Sequence, residues 1–506
     1  MLGCRVVFAG VISLALSVSV GATTAHAVDY FLTIGGGYSP SGNQASLEKN
    51  VLFFQALLKE RKLADAPHAI FFADGNHVGR DLQFVDPKYD IPKANRLLAR
   101  VMRQERFLGY QYRSHAVPGI KGADNPQNIK RWFQEVGRKL TKNDRLVIYL
   151  TGHGGKGDKK TPGNTKFYMW NSKSMKASEF TGLLDKVPAE VPVAMVMVQC
   201  YSGGFANVIF NQASAKKGVT GANRCGFYAT VQTRPAAGCT ADINEADYQE
   251  YSSFFWAALR GKTRVGKAIK RPDYDGDGVV SFDEAHAFAV IASDTIDIPV
   301  KTSDALLRHA SKTKVKGRKD LVTAETKYGE LLKTASKSER AILEQLSKLL
   351  KLSGDNRAKA ARGAAGKIAK QKKGIEAKLK KTSGERDAAG KAIRSALFVR
   401  WPELSNRWNP QVGELLGRQS NEVVRLIESH KHYSAFTRKY DEAKKLAAQK
   451  LDLDRRWVKT QRVLRTLENV ALAVNLPKLA DAKMQARYRR LLESERQTLG
   501  GVVSGR

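Results

Sequence analysis

Four short apolar runs set the frame for this chain: residues 30–34, 69–73, 146–150 and 193–198. Each is built largely from branched and aromatic side chains and stops at glycine or a polar residue, as a strand buried on both faces does. Between the runs lie helix-length segments with one apolar face. Leu47, Val51, Phe54 and Leu58 recur at i, i+4, i+7 and i+11. Ile129, Trp132, Phe133, Val136 and Leu140 form a second stripe behind Asn125-Pro126, a capping residue followed by proline at the first helical position. Phe180, Leu183, Leu184 and Val187 form a third. Strands joined by crossover helices predict an α/β body over residues 28–261, with a mainly parallel sheet covered by helices.

Ligands of open α/β sheets bind where the strands end and the loops diverge. The run at 146–150 leads into Thr151-Gly152-His153-Gly154-Gly155, and the run at 193–198 into Gln199-Cys200-Tyr201-Ser202-Gly203-Gly204. His153 and Cys200 are 47 positions apart, room for one strand–helix–strand unit, so their strands are expected to be neighbours or nearly so. A thiol needs an adjacent base to yield thiolate, and His153 can serve. The amides of Gly154 and Cys200 could together hold a tetrahedral oxyanion. His68, His77 and His115 follow no comparably apolar run. Residues 35–37 are three glycines without a following Gly-Lys-Ser/Thr, so they make no phosphate loop, and neither HExxH nor paired CxxC argues for zinc.

In this order and context the two motifs resemble the caspase-like fold of clan CD cysteine peptidases, shared by metacaspases, bacterial caspase-family proteins and legumains. The first strand, its glycines and the helix through Leu47 and Leu58 are similar to the legumain-type opening. Tyr251-Ser252-Ser253-Phe254-Phe255 with Leu259 resembles the helix after the post-nucleophile strand. The resemblance covers residues 28–261 and implies an endopeptidase with His153 as catalytic histidine, Cys200 as nucleophile and Gly154 as oxyanion donor. Relatives usually carry an acidic residue or glutamine two positions before the cysteine, where it helps read the substrate. Here Val198 stands there, with Gln199 adjacent, so no preference for the residue before the scissile bond is implied.

Residues 273–284 match the pattern D-x-D-x-D-G-x5-E in full. Asp273, Asp275 and Asp277 take loop positions one, three and five, and Glu284 takes twelve. Gly278 provides the turn, Val279 a carbonyl and Ser281 a direct or water-mediated oxygen. Four converging carboxylates repel one another without a cation, so Ca²⁺ is expected. An EF-hand-like helix–loop–helix is predicted over 262–298. Extracellular sites of this kind bind at about 10⁻⁴–10⁻³ M, which suits a staple more than a switch.

The N-terminus reads as a secretory signal over residues 1–27: Arg5, an apolar run to about Ala22, then Ala25-His26-Ala27, with cleavage after Ala27. A secreted or periplasmic protein follows. Cys4 would leave with the signal, and Cys200, Cys225 and Cys239 remain, an odd number in an oxidising compartment. Cys225 and Cys239 could close a local disulfide, leaving Cys200 free. Residues 299–506 are rich in Lys, Arg, Ala and Leu at helical spacing and predict a basic, coiled-coil-like all-α region. Ile342, Leu346 and Leu349 form one stripe, and Val463, Leu467, Val470 and Val474 another. Residues 355–381 are expected to be a loose connection, and Trp401-Pro402 and Asn409-Pro410 break any single rod. Lys and Arg number 85 against 49 Asp and Glu, a net charge of +36, which favours an anionic partner. For an exported chain that means an envelope polymer or membrane surface; nucleic acid fits the charge but not the compartment, and no base-reading motif occurs. The expectation is an exported, Ca²⁺-binding cysteine endopeptidase acting on polypeptides. The alternative is a non-catalytic Ca²⁺-binding envelope scaffold or anionic-polymer binder that keeps the fold.

Overall fold

The computed structural model describes residues 28–311, 318–406 and 408–500; residues 1–27, where the secretory signal is expected and which include Cys4, lie outside the described residues. Seven strands form the central sheet: β1 (Val28–Gly36), β2 (His68–Phe72), β3 (Ile120–Gly122), β4 (Asp144–Gly152), β5 (Val193–Met197), β6 (Arg224–Tyr228) and β7 (Val300–Lys301). Their order is β7-β6-β5-β4-β1-β2-β3, and every pairing is parallel except that of β7 with β6. The four apolar runs are thus β1, β2, β4 and β5. Alternation along a strand sends Phe31 and Val147 to one face and Leu32 and Ile148 to the other, and none of the four is more than 1% exposed. That double burial is why these runs are continuously apolar.

One face is covered by α2 (Pro126–Glu135) and α3 (Ala177–Leu184), through Ile129, Phe133 and Phe180. The other carries α1 (Ala45–Glu60) and α4 (Tyr251–Arg260), through Phe54 and Trp256. Helix α2 starts as its sequence dictates: Asn125 Oδ1 accepts the Asn128 N–H at 2.9 Å, with Pro126 at the first position.

The body does not stop at Gly261. Helix α5 (Phe282–Ala292) packs on α4, and β7 extends the sheet. A late helix, α8 (Ala482–Glu495), brings Leu491, followed by Leu499, into the apolar cluster that holds Phe31. Gly500 N–H donates to Asp29 Oδ2 at 3.0 Å, and Asp29 is doubly bonded to Arg145 at 2.7 Å.

The C-terminal region is helical. Its two longest helices, α6 (Arg357–Arg400) and α7 (Tyr433–Leu479), run antiparallel, as the pairs Lys372–Asp454, Lys450–Glu376 and Lys439–Glu385 require. The expected loose connection at 355–381 is helix from Arg357 on. Ala and Lys are strong helix formers, and packing on α7 offsets the roughly 1 kcal/mol that each interior glycine costs. The helix ends at Trp401-Pro402, as expected. At the base of this arm, Val463, Leu467 and Val470 pack with Leu343, Leu346 and Ala358; at the tip, Leu404, Val423 and Ile427 pack on Leu97, Leu98 and Val101 of the helix Lys93–Val101. Leu349, expected in the buried stripe, is the last residue of its helix and is 56% exposed, with Leu343 buried instead. Among the described residues no helix is long and apolar enough to cross a membrane.

Candidate active site

Strands β4 and β5 are direct neighbours in parallel register, Leu146 opposite Val193 and Leu150 opposite Met197, and the pairing continues as Val198 N–H donates to Leu150 O at 3.0 Å. His153 and Cys200 therefore leave the same rim from adjoining strands. Tyr201 adopts a left-handed φ of 61°, turning the chain sharply after Cys200. The turn is fastened by Ser202 N–H to Gln199 O at 3.2 Å, Tyr201 N–H to Arg234 O at 3.0 Å and Gly203 N–H to Thr230 O at 2.7 Å. Gly154 lies flat against this turn: a side-chain carbon there would fall 2.1 Å from the carbonyl oxygen of Cys200. Only glycine lets the segment after His153 approach the cysteine backbone so closely.

The imidazole is held from one side. Its Nε2 meets Gly42 O at 2.8 Å and Gln44 Oε1 at 2.9 Å, and the Tyr38 ring stands edge-on at 5.2 Å. A ring nitrogen facing two oxygen acceptors carries the hydrogen, so the Nδ1 lone pair is left to accept a proton. Burial lowers the His153 pKa, partly countered by Gly42. The half-buried Cys200 sulfur accepts the Ala236 N–H at 3.3 Å. Burial raises its pKa, the Ala236 amide acts in the opposite sense, and the nearby Asp297 carboxyl raises it further. Both shifts favour a neutral thiol and a neutral imidazole at rest. Gln199 is 1% exposed, and neither polar atom of its amide has a hydrogen-bond partner.

Several of these residues had no signal in the sequence. Gln44 and Gly42 lie more than 100 positions from His153, and Ala236 is an ordinary alanine. Asp297 is 1% exposed; its Oδ1 accepts the Ala237 N–H at 2.7 Å, so it braces the segment against which the sulfur rests. Arg462 of α7, fully enclosed, donates to the carbonyls of Asp297, Val290 and Ser293 at 2.7–2.8 Å. Arg234 is paired with Asp454 of α7 at 3.1 Å and lies over the Trp457 ring. The arm thus reaches the loops that shape this rim.

The expected disulfide does not form. Cys200, Cys225 and Cys239 are all free. Cys225 lies opposite Ala194, which lies opposite Val147, near the start of the sheet; Cys239 Sγ contacts Gly152 O at 3.8 Å at the far rim. Val147 to Gly152 is about 16 Å of strand at roughly 3.3 Å per residue, beyond the reach of a cystine bridge. Burial raises the Cys239 pKa.

The acidic loop brings its three aspartates together. One oxygen from each of Asp273, Asp275 and Asp277 lies within 4.8 Å of the others. Asp273 accepts the N–H groups of Gly276 at 2.8 Å and Gly278 at 3.0 Å, and Val280 is buried. Glu284 is turned to the backbone: Oε1 accepts Tyr274 N–H at 2.5 Å, and Oε2 accepts Ser281 N–H at 2.9 Å. Ser281 and Glu284 form the capping box that starts α5. Residues 262–272 are not helical, in contrast to the expected incoming helix. Helix α4 ends at Gly261 with φ 79°, and Pro272 stands just before the loop.

No family model matches the sequence, and no curated protein matches it. A solved structure of a Geobacter sulfurreducens protein is similar at 11% identity and a TM-score of 0.29, covering 52% of this chain and 88% of that one. A TM-score of that size does not establish a shared fold.

Proposed function

We propose that this protein is a caspase-like cysteine endopeptidase. The observation that supports the reading is the departure of His153 and Cys200 from adjacent parallel strand ends, with Gly154 packed on the Cys200 backbone. In the proposed reaction, His153 Nδ1 takes the Cys200 proton and the thiolate attacks a peptide carbonyl. The amides of Gly154 and Cys200 stabilise the oxyanion. The imidazolium gives its proton to the leaving amine, and His153 then deprotonates a water that hydrolyses the acyl-enzyme. Gly42 and Gln44 hold the ring so that Nδ1 stays free for both transfers.

The oxygen-only set of Asp273, Asp275 and Asp277, with Glu284, fits a hard cation, and the reading includes Ca²⁺ held there as an EF-hand-like staple. Bound at that loop, it would supply charge neutralisation for the three aspartates. The leader-like N-terminus supports export, with the basic arm contacting an anionic envelope polymer or membrane surface.

A second reading is a non-catalytic Ca²⁺-binding scaffold, favoured by burial that raises the thiol pKa and lowers the imidazole pKa. The experiment is labelling with a thiol-directed activity probe, with and without Ca²⁺, on the wild type and Cys200→Ala. Selective labelling of Cys200 with peptide cleavage is the expected result. A folded, Ca²⁺-loaded protein that neither labels at Cys200 nor cleaves a peptide library is a scaffold.

A further inference from the structure

On the same rim, but apart from His153 and Cys200, three side chains with ligand chemistry converge where no motif announced them. Asp74 follows β2. Asp81 precedes the strand Leu82–Val85, which pairs with Tyr110–Arg113, and His115 follows that ribbon. His115 Nε2 lies 3.9 Å from Asp74 Oδ1 and 3.9 Å from Asp81 Oδ2. One ligand atom from each residue lies within 4.8 Å of the other two. The Gly75 carbonyl joins them, 2.8 Å from Nε2. Side-chain exposure is 10% for His115, 11% for Asp74 and 3% for Asp81.

Two observations distinguish this cluster from an ordinary polar loop. Asp74 Oδ1, aimed at Nε2, is sealed from solvent and has no hydrogen-bond partner. A buried neutral group left unpaired already costs about 1–3 kcal/mol, and a carboxylate costs more. In addition, a second carboxyl shares the enclosure. Asp81 is fixed in place, with Oδ1 accepting the His115 backbone N–H at 2.9 Å and Oδ2 accepting Asn43 Nδ2 at 3.2 Å. Two hidden like charges with an unmet oxygen between them and an imidazole edge call for a cation.

We propose that Asp74, Asp81 and His115, with the Gly75 carbonyl, bind a divalent cation of the zinc or manganese type. One imidazole nitrogen and three oxygens suit such an ion better than calcium, which prefers oxygen alone. Spacings of 2.8–3.9 Å around Nε2 bracket the ~3.4 Å between neighbouring ligands of a tetrahedral ion with bonds of roughly 2.0–2.2 Å. On binding, the single hydrogen that Nε2 now shares with Gly75 moves by tautomerisation to Nδ1, which frees the Nε2 lone pair for the ion. The ion would clamp the long excursion between β2 and β3 to the sheet rim. It would also brace Asn43, whose neighbours Gly42 and Gln44 hold the His153 ring. The site does not depend on the peptidase reading.

The test uses chelator-stripped full-length protein carrying Cys200→Ala and Asp275→Asn, so that neither the nucleophile nor the acidic loop reports. Calorimetric titration with ZnCl2 and MnCl2, paired with thermal unfolding, is expected to show one ion per chain and a raised Tm, with CaCl2 a poor competitor. Asp74→Asn is expected to weaken binding by roughly 10-fold or more, about 1.4 kcal/mol per tenfold, and His115→Gln to remove it. In EDTA, Asp74→Asn keeps the far-UV circular dichroism and does not lower Tm, because repulsion with Asp81 is relieved. Overturning results are a folded, stripped protein that binds neither ion below about 1 mM, or equal affinity in Asp74→Asn. In either case the cluster is a metal-free polar network.

Discussion

The α/β body and the basic arm both bury apolar side chains, yet they are fastened differently. In the body, each central strand is apolar on both faces, and whole layers of Phe, Trp, Leu and Ile meet across it. In the arm, α6 carries 14 Lys or Arg against three acidic residues. Its large apolar contacts gather at the base and the tip, while Lys372, Lys439 and Lys450 pair across the hairpin between them. The join between the two regions is polar at Arg462, which satisfies four backbone carbonyls and Thr295 Oγ1. A layered core specifies its own position through area; an arm of this kind is positioned by a few buried anchors.

Two substitutions head the scale together and ask whether the join is as costly to break as the core. Trp256→Ala removes a fully buried ring tilted against Phe54 at 4.6 Å and edge-on to Tyr149 at 5.2 Å, and should cost about 3–5 kcal/mol in urea unfolding. Arg462→Ala leaves four enclosed carbonyls without their donor and should also cost about 3–5 kcal/mol; a loss under about 1 kcal/mol would make the arm a loosely tethered appendage. A smaller effect depends on pH. Burial pushes the Asp297 pKa up to about 7, although Arg462 and Arg234 act in the opposite sense. From about pH 4 to 7 the native carboxyl keeps a proton that the unfolded chain has released. Stability therefore falls as pH rises, by up to about 1.4 kcal/mol per pH unit, and levels off above 7. Asp297→Asn should flatten that part of the profile. Smallest is Lys450→Ala on the arm, where an exposed pair at 3.3 Å should matter by no more than about 0.5 kcal/mol.

The same contrast governs what could be read from residues alone. β1, β2, β4 and β5 announce themselves because a doubly buried strand must be continuously apolar, and that pattern is local. β3 and β7 span three and two residues, too few to show any period. The rim positions of His153 and Cys200 follow from strand ends and so were legible. Gln44, Ala236 and Asp297 reach the rim only through tertiary closure, and Asp74, Asp81 and His115 sit on an excursion with no periodic signal. Cys225 and Cys239 looked like partners because they are close in sequence, but the chain between them travels from one end of the sheet to beyond the other. In the arm, glycine content suggested looseness at 355–381, whereas alanine, lysine and the facing helix α7 determine the outcome.

The bond between Asp29 and Gly500 joins positions 471 residues apart, and Leu491 and Leu499 complete the cover over the first strand. Contacts so distant form late, because the intervening chain must be ordered before they are reached. A polypeptide emerging from its N-terminus would present β1 without its lid until residues 491–500 had appeared. Elongation and burial are thereby separated in time, which leaves the growing chain pliable until that segment is made.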